Sequence, residues 1–245
     1  MKRICVLAFV LFSFAAVAQN RLSQHHRIGW LTTTVTPSIT PKLSGHIEYQ
    51  WRREDWISNW QQSLLRVGFN YKIHPQVTLH AGYGWILTYP YGDFTLAAVP
   101  RTFPEHRLYE QVSVNTPLGK AALSHRFRLE QRWVGRYTNL EQEGPASWTY
   151  LYRIRFMPRL DVPLTKHLYA AGYDEVFIGL GKNVGENVFD QNRASLVMGY
   201  KLSKVFRAEA GFLSQIVQLG REVNGRNVFQ YNNGVIVNTY VQLNQ

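Results

Sequence analysis

Cysteine, long apolar segments and amphipathic helical patterns are all scarce in this chain. Its single cysteine, Cys5, lies in an N-terminal segment that we predict is removed, which excludes disulfides and thiolate chemistry from the mature protein. After residue 18, no run has the ~18 apolar residues that a membrane-spanning helix needs. If the mature protein sits in a membrane, it must do so as a closed β-barrel, because lipid cannot satisfy the backbone of an open strand edge.

The N-terminus has the pattern of a secretory signal peptide. Lys2 and Arg3 precede an almost unbroken apolar run, and the small residues at the end of that run suit a signal peptidase that cleaves after Ala18. We therefore predict a signal peptide over residues 1–18 and a single mature domain over residues 19–245. Export places that domain outside the cytoplasm.

Acidic residues are also scarce. The chain has 27 lysines and arginines against 16 aspartates and glutamates, and its formal net charge is +11. Removal of Lys2 and Arg3 with the signal peptide leaves +9 on the mature chain. For an exported protein, this excess favours acidic lipid headgroups, the phosphates of lipopolysaccharide or small anions as partners, and not nucleic acid.

The clearest pattern in the mature chain is strict alternation from Ser124 to Trp133. Charged residues hold every second position, while Phe127, Leu129 and Trp133 lie between them. Successive side chains of a strand point to opposite faces, so this segment predicts one long strand with a charged face and an apolar face. The apolar face could pack on the core of a soluble protein or face lipid on the outside of a membrane barrel.

Similar β-like runs recur along the whole chain. About eleven of them have ten or more residues, whereas ordinary globular strands average ~5–6 residues and transmembrane strands need about 9–11. Short and long connections alternate, and aromatic residues recur near the strand ends, as in outer-membrane barrels. The short connections are predicted at residues 37–42, 74–76, 116–119, 161–165 and 203–204, and the long ones at 53–60, 90–104, 137–147, 179–189 and 220–227.

These observations predict an all-β fold, a closed antiparallel transmembrane β-barrel in the outer membrane of a bacterium. Single-chain bacterial barrels have an even number of strands, so we predict twelve, with ten as the fallback, and a short additional strand near residues 19–25. Two other interpretations stay open. One is a secreted soluble binding protein of the lipocalin type, and the other is a barrel enzyme that acts on lipid or lipopolysaccharide.

Six segments spread over nearly the whole mature chain carry a family resemblance. They are HRLYEQ at 106–111, RFRLEQRW at 126–133, YRIRF at 152–156, YDEVF at 173–177, FDQNR at 189–193 and AEAGFLSQ at 208–215. In order and spacing they resemble the DUF2490 family, exported proteins of Bacteroidota and related bacteria. The resemblance implies an outer-membrane β-barrel, and it brings no defined function and no catalytic residue.

Twelve charged residues fall on the polar faces of the predicted strands. A charge that faces lipid at the membrane midplane costs about 2–4 kcal/mol, so we predict that all twelve point into the barrel. They are Glu48, Arg52, Arg66, Arg126, Arg128, Glu130, Arg132, Arg153, Arg155, Arg193, Arg207 and Glu209. These nine arginines and three glutamates predict either a salt-bridged filling that keeps the barrel rigid and closed, or a narrow passive pore with a preference for anions.

No constellation in the chain predicts catalysis or metal binding. Ser124 and His125 are adjacent, so on a strand they face opposite sides and cannot act as nucleophile and base. His25 and His26 have no third ligand at a spacing that suits a metal ion. We therefore predict a protein that is not an enzyme and needs no cofactor. Its predicted partners are outer-membrane lipid, lipopolysaccharide and, during insertion, the barrel-assembly machinery.

Overall fold

The structure is a computed structural model that describes residues 21–185 and 187–243. The predicted signal peptide, residues 1–18, lies outside the described residues. Within them the chain forms eleven strands, and no helix long and apolar enough to cross a membrane is found there. The strands are β1 (Leu22–Pro37), β2 (Leu43–Glu54), β3 (Asn59–His74), β4 (Val77–Thr88), β5 (Phe103–Leu118), β6 (Ala121–Arg136), β7 (Ser147–Pro163), β8 (Leu168–Leu180), β9 (Phe189–Lys201), β10 (Phe206–Val223) and β11 (Arg226–Leu243).

The strands form one closed barrel. Each strand pairs antiparallel with the next along the chain, and β1 closes the ring by pairing in parallel with β11, from Leu22 opposite Val228 to Pro37 opposite Leu243. The predicted closed all-β barrel is confirmed, and its eleven strands lie between the preferred number of twelve and the fallback of ten. The segment considered for an additional strand is, in its described part, the beginning of β1.

The connections between strands differ at the two ends of the barrel. All connections at one end, the short-turn end, are short, whereas the other end, the long-loop end, carries the loops 89–102, 137–146 and 181–188. The prediction of long loops at 53–60 and 220–227 was wrong, because the strands continue into both segments and leave only residues 55–58 and 224–225 as connections. At the second site the chain reverses at Asn224 and Gly225, both with positive φ, as Asn-Gly hairpin turns require.

The odd number of strands fixes where the chain enters and leaves the barrel. It enters β1 at the long-loop end and leaves β11 at the short-turn end. A barrel with an even number of strands would have both of these points at one end. The parallel pairing of β1 with β11 is therefore the geometric consequence of an eleventh strand.

The interior of the barrel combines charged and apolar parts. Most of its ion pairs join residues of β5 to β8, whereas an apolar cluster joins β1 and β8 to β11, strands that also carry the buried Glu175, Arg193 and Glu209. The apolar cluster consists of Ile28, Trp30, Tyr169, Ala171, Val197, Leu213 and Ile236. Alternation places these residues on the inner faces of their strands, so the inner face of this barrel is not uniformly polar.

The outer face carries a band of exposed apolar side chains, such as Ile47, Val67 and Phe69. Two acids interrupt this band. Glu110 accepts a hydrogen bond from the amide of Gln131 at 3.3 Å, and Asp174 accepts one from Asn192 at 2.6 Å. Each outward acid therefore has an amide partner on the strand beside it.

The seam between β1 and β11 depends on a glycine. Gly234 lies opposite Ile28, and a Cβ at position 234 would overlap the Ile28 carbonyl oxygen. We expect Gly234→Ala to lower the free energy of unfolding by about 1–3 kcal/mol, the usual cost of overpacking. Urea unfolding in detergent micelles, followed by tryptophan fluorescence, measures the change. Gly144→Ala is the control, since a Cβ there meets nothing within 4 Å, and equal midpoints for the two variants would contradict this geometry.

Candidate functional site

The charged interior of the barrel is the candidate functional site, and it contains the charged residues singled out from the sequence. Nine of those twelve are buried, and Arg126, Arg132 and Arg207 are partly exposed. Because the strands alternate strictly, side chains two residues apart on one strand lie side by side on the inner face. The antiparallel register places Glu130 directly opposite Arg153. Arg107 and Arg155 reach the same carboxylate diagonally, since they lie opposite Arg132 and Arg128, respectively.

Glu130 is the centre of this site. Its side chain has no exposed surface and receives guanidinium groups from both neighbouring strands. The ion-pair distances are 2.5 Å to Arg153, 2.6 Å to Arg155, 3.3 Å to Arg107 and 3.8 Å to Arg128. Four positive charges therefore converge on one buried carboxylate, which links β5, β6 and β7.

Further carboxylates extend the network around this centre. Glu105 accepts ion pairs from Arg107 at 2.5 Å and from Arg132 at 2.7 Å. Glu175 pairs with Arg126 and with Arg155, each at 2.7 Å. Arg155 thus joins Glu175 to Glu130, and the network runs without a break from β5 to β8.

Two smaller clusters lie beside the main network. Glu48 pairs with Arg66 at 2.5 Å, and Glu209 pairs with Arg159 at 2.6 Å. Glu209 also accepts hydrogen bonds from the hydroxyls of Tyr169, at 2.7 Å, and Tyr240, at 3.2 Å. Each of these buried carboxylates is therefore satisfied by several donors, as a buried charge requires.

Six ion-paired members of this interior were not predicted from the sequence, and neither were Arg136 and Arg221, which line the cavity described below. The six are Arg107 and Arg159 together with the carboxylates Glu105, Asp161, Glu175 and Asp190. Glu105 and Glu175 were not predicted because each of their strands also has an acid that points outward, Glu110 on β5 and Asp174 on β8. With acids on both faces, the alternation does not show which face is the charged one. The arginine–carboxylate ion pairs of the described residues join eight arginines to seven carboxylates, so charge is nearly balanced within them.

Three arginines of the network have no carboxylate within 4.0 Å among the described residues. Arg52 donates to Gln50 at 2.8 Å and to Gln62 at 2.6 Å, and its guanidinium lies 3.9 Å from the centre of the Trp30 ring. Arg193 donates to Gln191 at 2.8 Å and lies 5.1 Å from the same indole ring. The third, Arg207, lies at the short-turn end, 4.1 Å from the ring of Tyr240.

The loop 89–102 folds into the mouth of the barrel at the long-loop end. The buried Tyr91 hydroxyl donates to Gln230 at 2.7 Å and accepts a hydrogen bond from Gln61 at 3.1 Å. The backbone carbonyl and amide of Phe94 bond to the Gln24 side chain at 3.0 and 3.1 Å. Burial raises the pKa of Tyr91, so its hydroxyl keeps the proton that it donates. The loop is therefore fixed to the inner wall on the side of β1 and β11.

A cavity of about 310 Å³ lies between this loop and the top of the charged network. Eight arginines line it, among them Arg52 and Arg193, whereas the only carboxylates in its lining are Glu105 and Asp190. Both carboxylates already hold arginines, Glu105 in the pairs described above and Asp190 in a pair with Arg153. The cavity is thus strongly positive, with amide and hydroxyl groups between the charges.

The residues considered for catalysis lie apart in the structure. The Ser124 hydroxyl donates to the backbone carbonyl of Arg159, whereas His125 stacks on Phe156 with ring centres 6.0 Å apart. Among residues 21–185 and 187–243, no group of three or more histidine, cysteine, aspartate or glutamate side chains could hold a metal ion.

The fold and the site define a closed β-barrel protein with an ion-paired interior. Residues 28–225 match the family model described as "Protein of unknown function (DUF2490)". Because the match covers most of the chain, the protein belongs to the DUF2490 family, and the resemblance seen in the sequence is confirmed.

Two individual proteins are similar to this chain. An uncharacterized protein of Methylorubrum extorquens is 26% identical over 197 residues, which are 76% of each chain. The NanC porin structure is 10% identical, with a TM-score of 0.44 over 82% of this chain and 91% of the porin chain.

The convergence of charges on Glu130 gives a test of the network. Glu130→Gln keeps the shape of the side chain and leaves four arginines without their shared carboxylate. We expect a loss of about 3–5 kcal/mol in the free energy of unfolding, the usual cost of removing one partner from a buried ion pair. Urea unfolding in micelles measures it. Glu141→Gln, in the exposed part of loop 137–146, is the matched control, and an equally small effect of both changes would show that Glu130 is not the centre of the network.

Proposed function

We propose that this protein is a closed outer-membrane β-barrel whose ion-paired interior braces the wall and blocks the passage of solutes. The observation that carries the proposal is the burial of the interior at the level of Glu130. Glu130, Phe177 and Leu213 have no exposed surface, and Arg155 is 3% exposed. A water-filled bore would leave inner side chains accessible, so a filled interior favours a structural barrel over a passive pore.

The outer surface supports a location in a membrane. Large apolar side chains such as Leu65, Phe127 and Leu196 are 40–66% exposed on the outer face, and a soluble monomer rarely shows so large an apolar surface. The strands have 12–18 residues, more than the about 9–11 that cross a bilayer. Closure leaves no strand edge unpaired, which is the condition for β-structure in lipid.

Aromatic side chains mark the two borders of this apolar band. Near the long-loop end, Trp133 and Tyr150 pack with ring centres 4.9 Å apart, and Trp60 stacks on Tyr89 at 5.3 Å. Near the short-turn end, Tyr200 is exposed. Tryptophan and tyrosine favour the membrane–water interface because their rings are amphipathic. In this setting, the outer face contacts lipid and lipopolysaccharide, the barrel-assembly machinery inserts the chain, and the segment 1–18 directs its export.

The membrane location predicts how the protein fractionates. We expect it in the outer-membrane fraction, extractable only with detergent, and we expect the unboiled protein to run faster on a gel than the boiled protein, because the closed barrel resists unfolding. A periplasmic marker and a known outer-membrane protein serve as controls. Recovery as a soluble periplasmic protein without detergent would overturn the membrane proposal.

The filled interior predicts the electrical behaviour of the barrel. In planar bilayers we expect no current above background from the wild-type protein, because buried side chains close the bore at the level of Glu130. Flotation with liposomes shows that the protein has inserted. Stepwise anion-selective current that Arg128→Glu shifts toward cations would instead identify an open pore, since Arg128 lies at the same level of the interior.

A further inference from the structure

We propose that the cavity at the long-loop end binds a hydroxylated anion of about monosaccharide size, such as a sugar phosphate or a sugar acid, through Arg52 and Arg193. This binding site goes beyond the closed barrel and does not depend on conduction. Its volume of about 310 Å³ lies at the lower end of the range usual for small-molecule pockets. The loop 89–102 provides one wall of the cavity through residues 96–99.

The lining of the cavity has an excess of positive charge. In the middle of the interior, carboxylates neutralise the arginines, but in the cavity lining eight arginines stand against two carboxylates. Arg52 and Arg193 are 3% and 9% exposed and have only neutral hydrogen-bond partners. Two buried guanidinium groups without a directly paired carboxylate are costly. A carboxylate or phosphate between them supplies the missing charge in the planar, two-pronged geometry that arginine favours.

Some buried polar atoms of the cavity lining have no hydrogen-bond partner, which supports the proposal independently of charge. The lining residues Arg66, Asn187 and Arg221 each have a buried side-chain atom with no hydrogen-bond partner: Nε of the two arginines and Oδ1 of the asparagine. Buried polar groups are nearly always paired, so these three atoms leave room for a ligand that supplies their partners. Two donors and one acceptor suit a ligand that carries both oxyanion and hydroxyl groups.

The neutral side chains of the lining define the rest of the ligand. Five glutamines, Thr88 and Tyr91 face the cavity, and amides and hydroxyls both donate and accept hydrogen bonds. A bare oxyanion could use only the donors among them. A sugar ring uses both, because each of its hydroxyl groups also donates and accepts.

Isothermal titration calorimetry of the full-length barrel in detergent micelles at low salt tests this proposal. The probes are glucose 6-phosphate, glucuronate and inorganic phosphate, with glucose as the neutral control. We expect at least one of the two sugar anions to bind more tightly than inorganic phosphate, and we expect glucose not to bind at millimolar concentrations. The two sugar anions distinguish a phosphate-preferring site from a carboxylate-preferring one.

Substitutions of the two cavity arginines test whether the ligand binds in the cavity. We expect Arg193→Gln and Arg52→Gln each to weaken binding by roughly tenfold or more, equivalent to about 1.4 kcal/mol. Arg207→Gln is the matched control, because Arg207 also has no carboxylate partner but lies at the other end of the barrel. The gel shift between unboiled and boiled protein shows which variants are folded, and either cavity variant alone suffices for the comparison.

Four results would overturn the proposal. They are no binding of any anion, tightest binding by inorganic phosphate, glucose binding as strong as that of the sugar anions, and an equal loss of binding in Arg207→Gln. None of them bears on the closed barrel, since the conductance and fractionation experiments do not use a ligand.

Discussion

The structure depends on a buried carboxylate that several arginines share. Glu130 lies on β6 and binds Arg107 from β5 and both Arg153 and Arg155 from β7. Taking one carboxylate and four guanidinium groups out of water is costly, and the cost is offset only where geometry is good and other donors and acceptors are satisfied. The antiparallel register supplies that geometry by placing Glu130 opposite Arg153. A slip of β6 by one residue would turn Glu130 to the outer face, away from all of these arginines.

Beside the charged network, an apolar cluster fills part of the interior. At the parallel seam, Ile28 and Trp30 of β1 and Ile236 of β11 belong to one buried apolar cluster. Gly234 lets the two strands approach there. Parallel pairing is slightly less stable per residue than antiparallel pairing, so apolar packing behind the seam compensates where the pairing is weaker. Trp30 also joins this cluster to the charged interior, since its indole ring receives the guanidinium of Arg52.

The sequence predicts those parts of the fold that local alternation determines. The segment from Ser124 to Trp133 reads correctly as a strand with a charged face, because its pattern has no interruption. The inward Glu105 and Glu175 could not be assigned, because Glu110 and Asp174 carry the same charge on the opposite face. The strand number and the inward fold of loop 89–102 depend on contacts between distant residues, such as β1 with β11 and Tyr91 with Gln230, which periodicity does not encode.

At the level of Glu130 and at the long-loop end alike, buried arginines need negative charge to compensate them. Around Glu130 the protein supplies its own anions, and the bore is filled. Toward the long-loop end the interior has fewer carboxylates than arginines. There the guanidinium groups of Arg52 and Arg193 lie near the indole ring of Trp30 instead. A guanidinium group tolerates that position because it is weakly hydrated and stacks on aromatic rings. The carbonyls of Phe94 and Thr95 add partial negative charge from the loop by accepting hydrogen bonds from Gln24 and Arg221. Partial charges do not neutralise two cations, so the mouth of the barrel keeps the positive charge on which the proposed anion site rests.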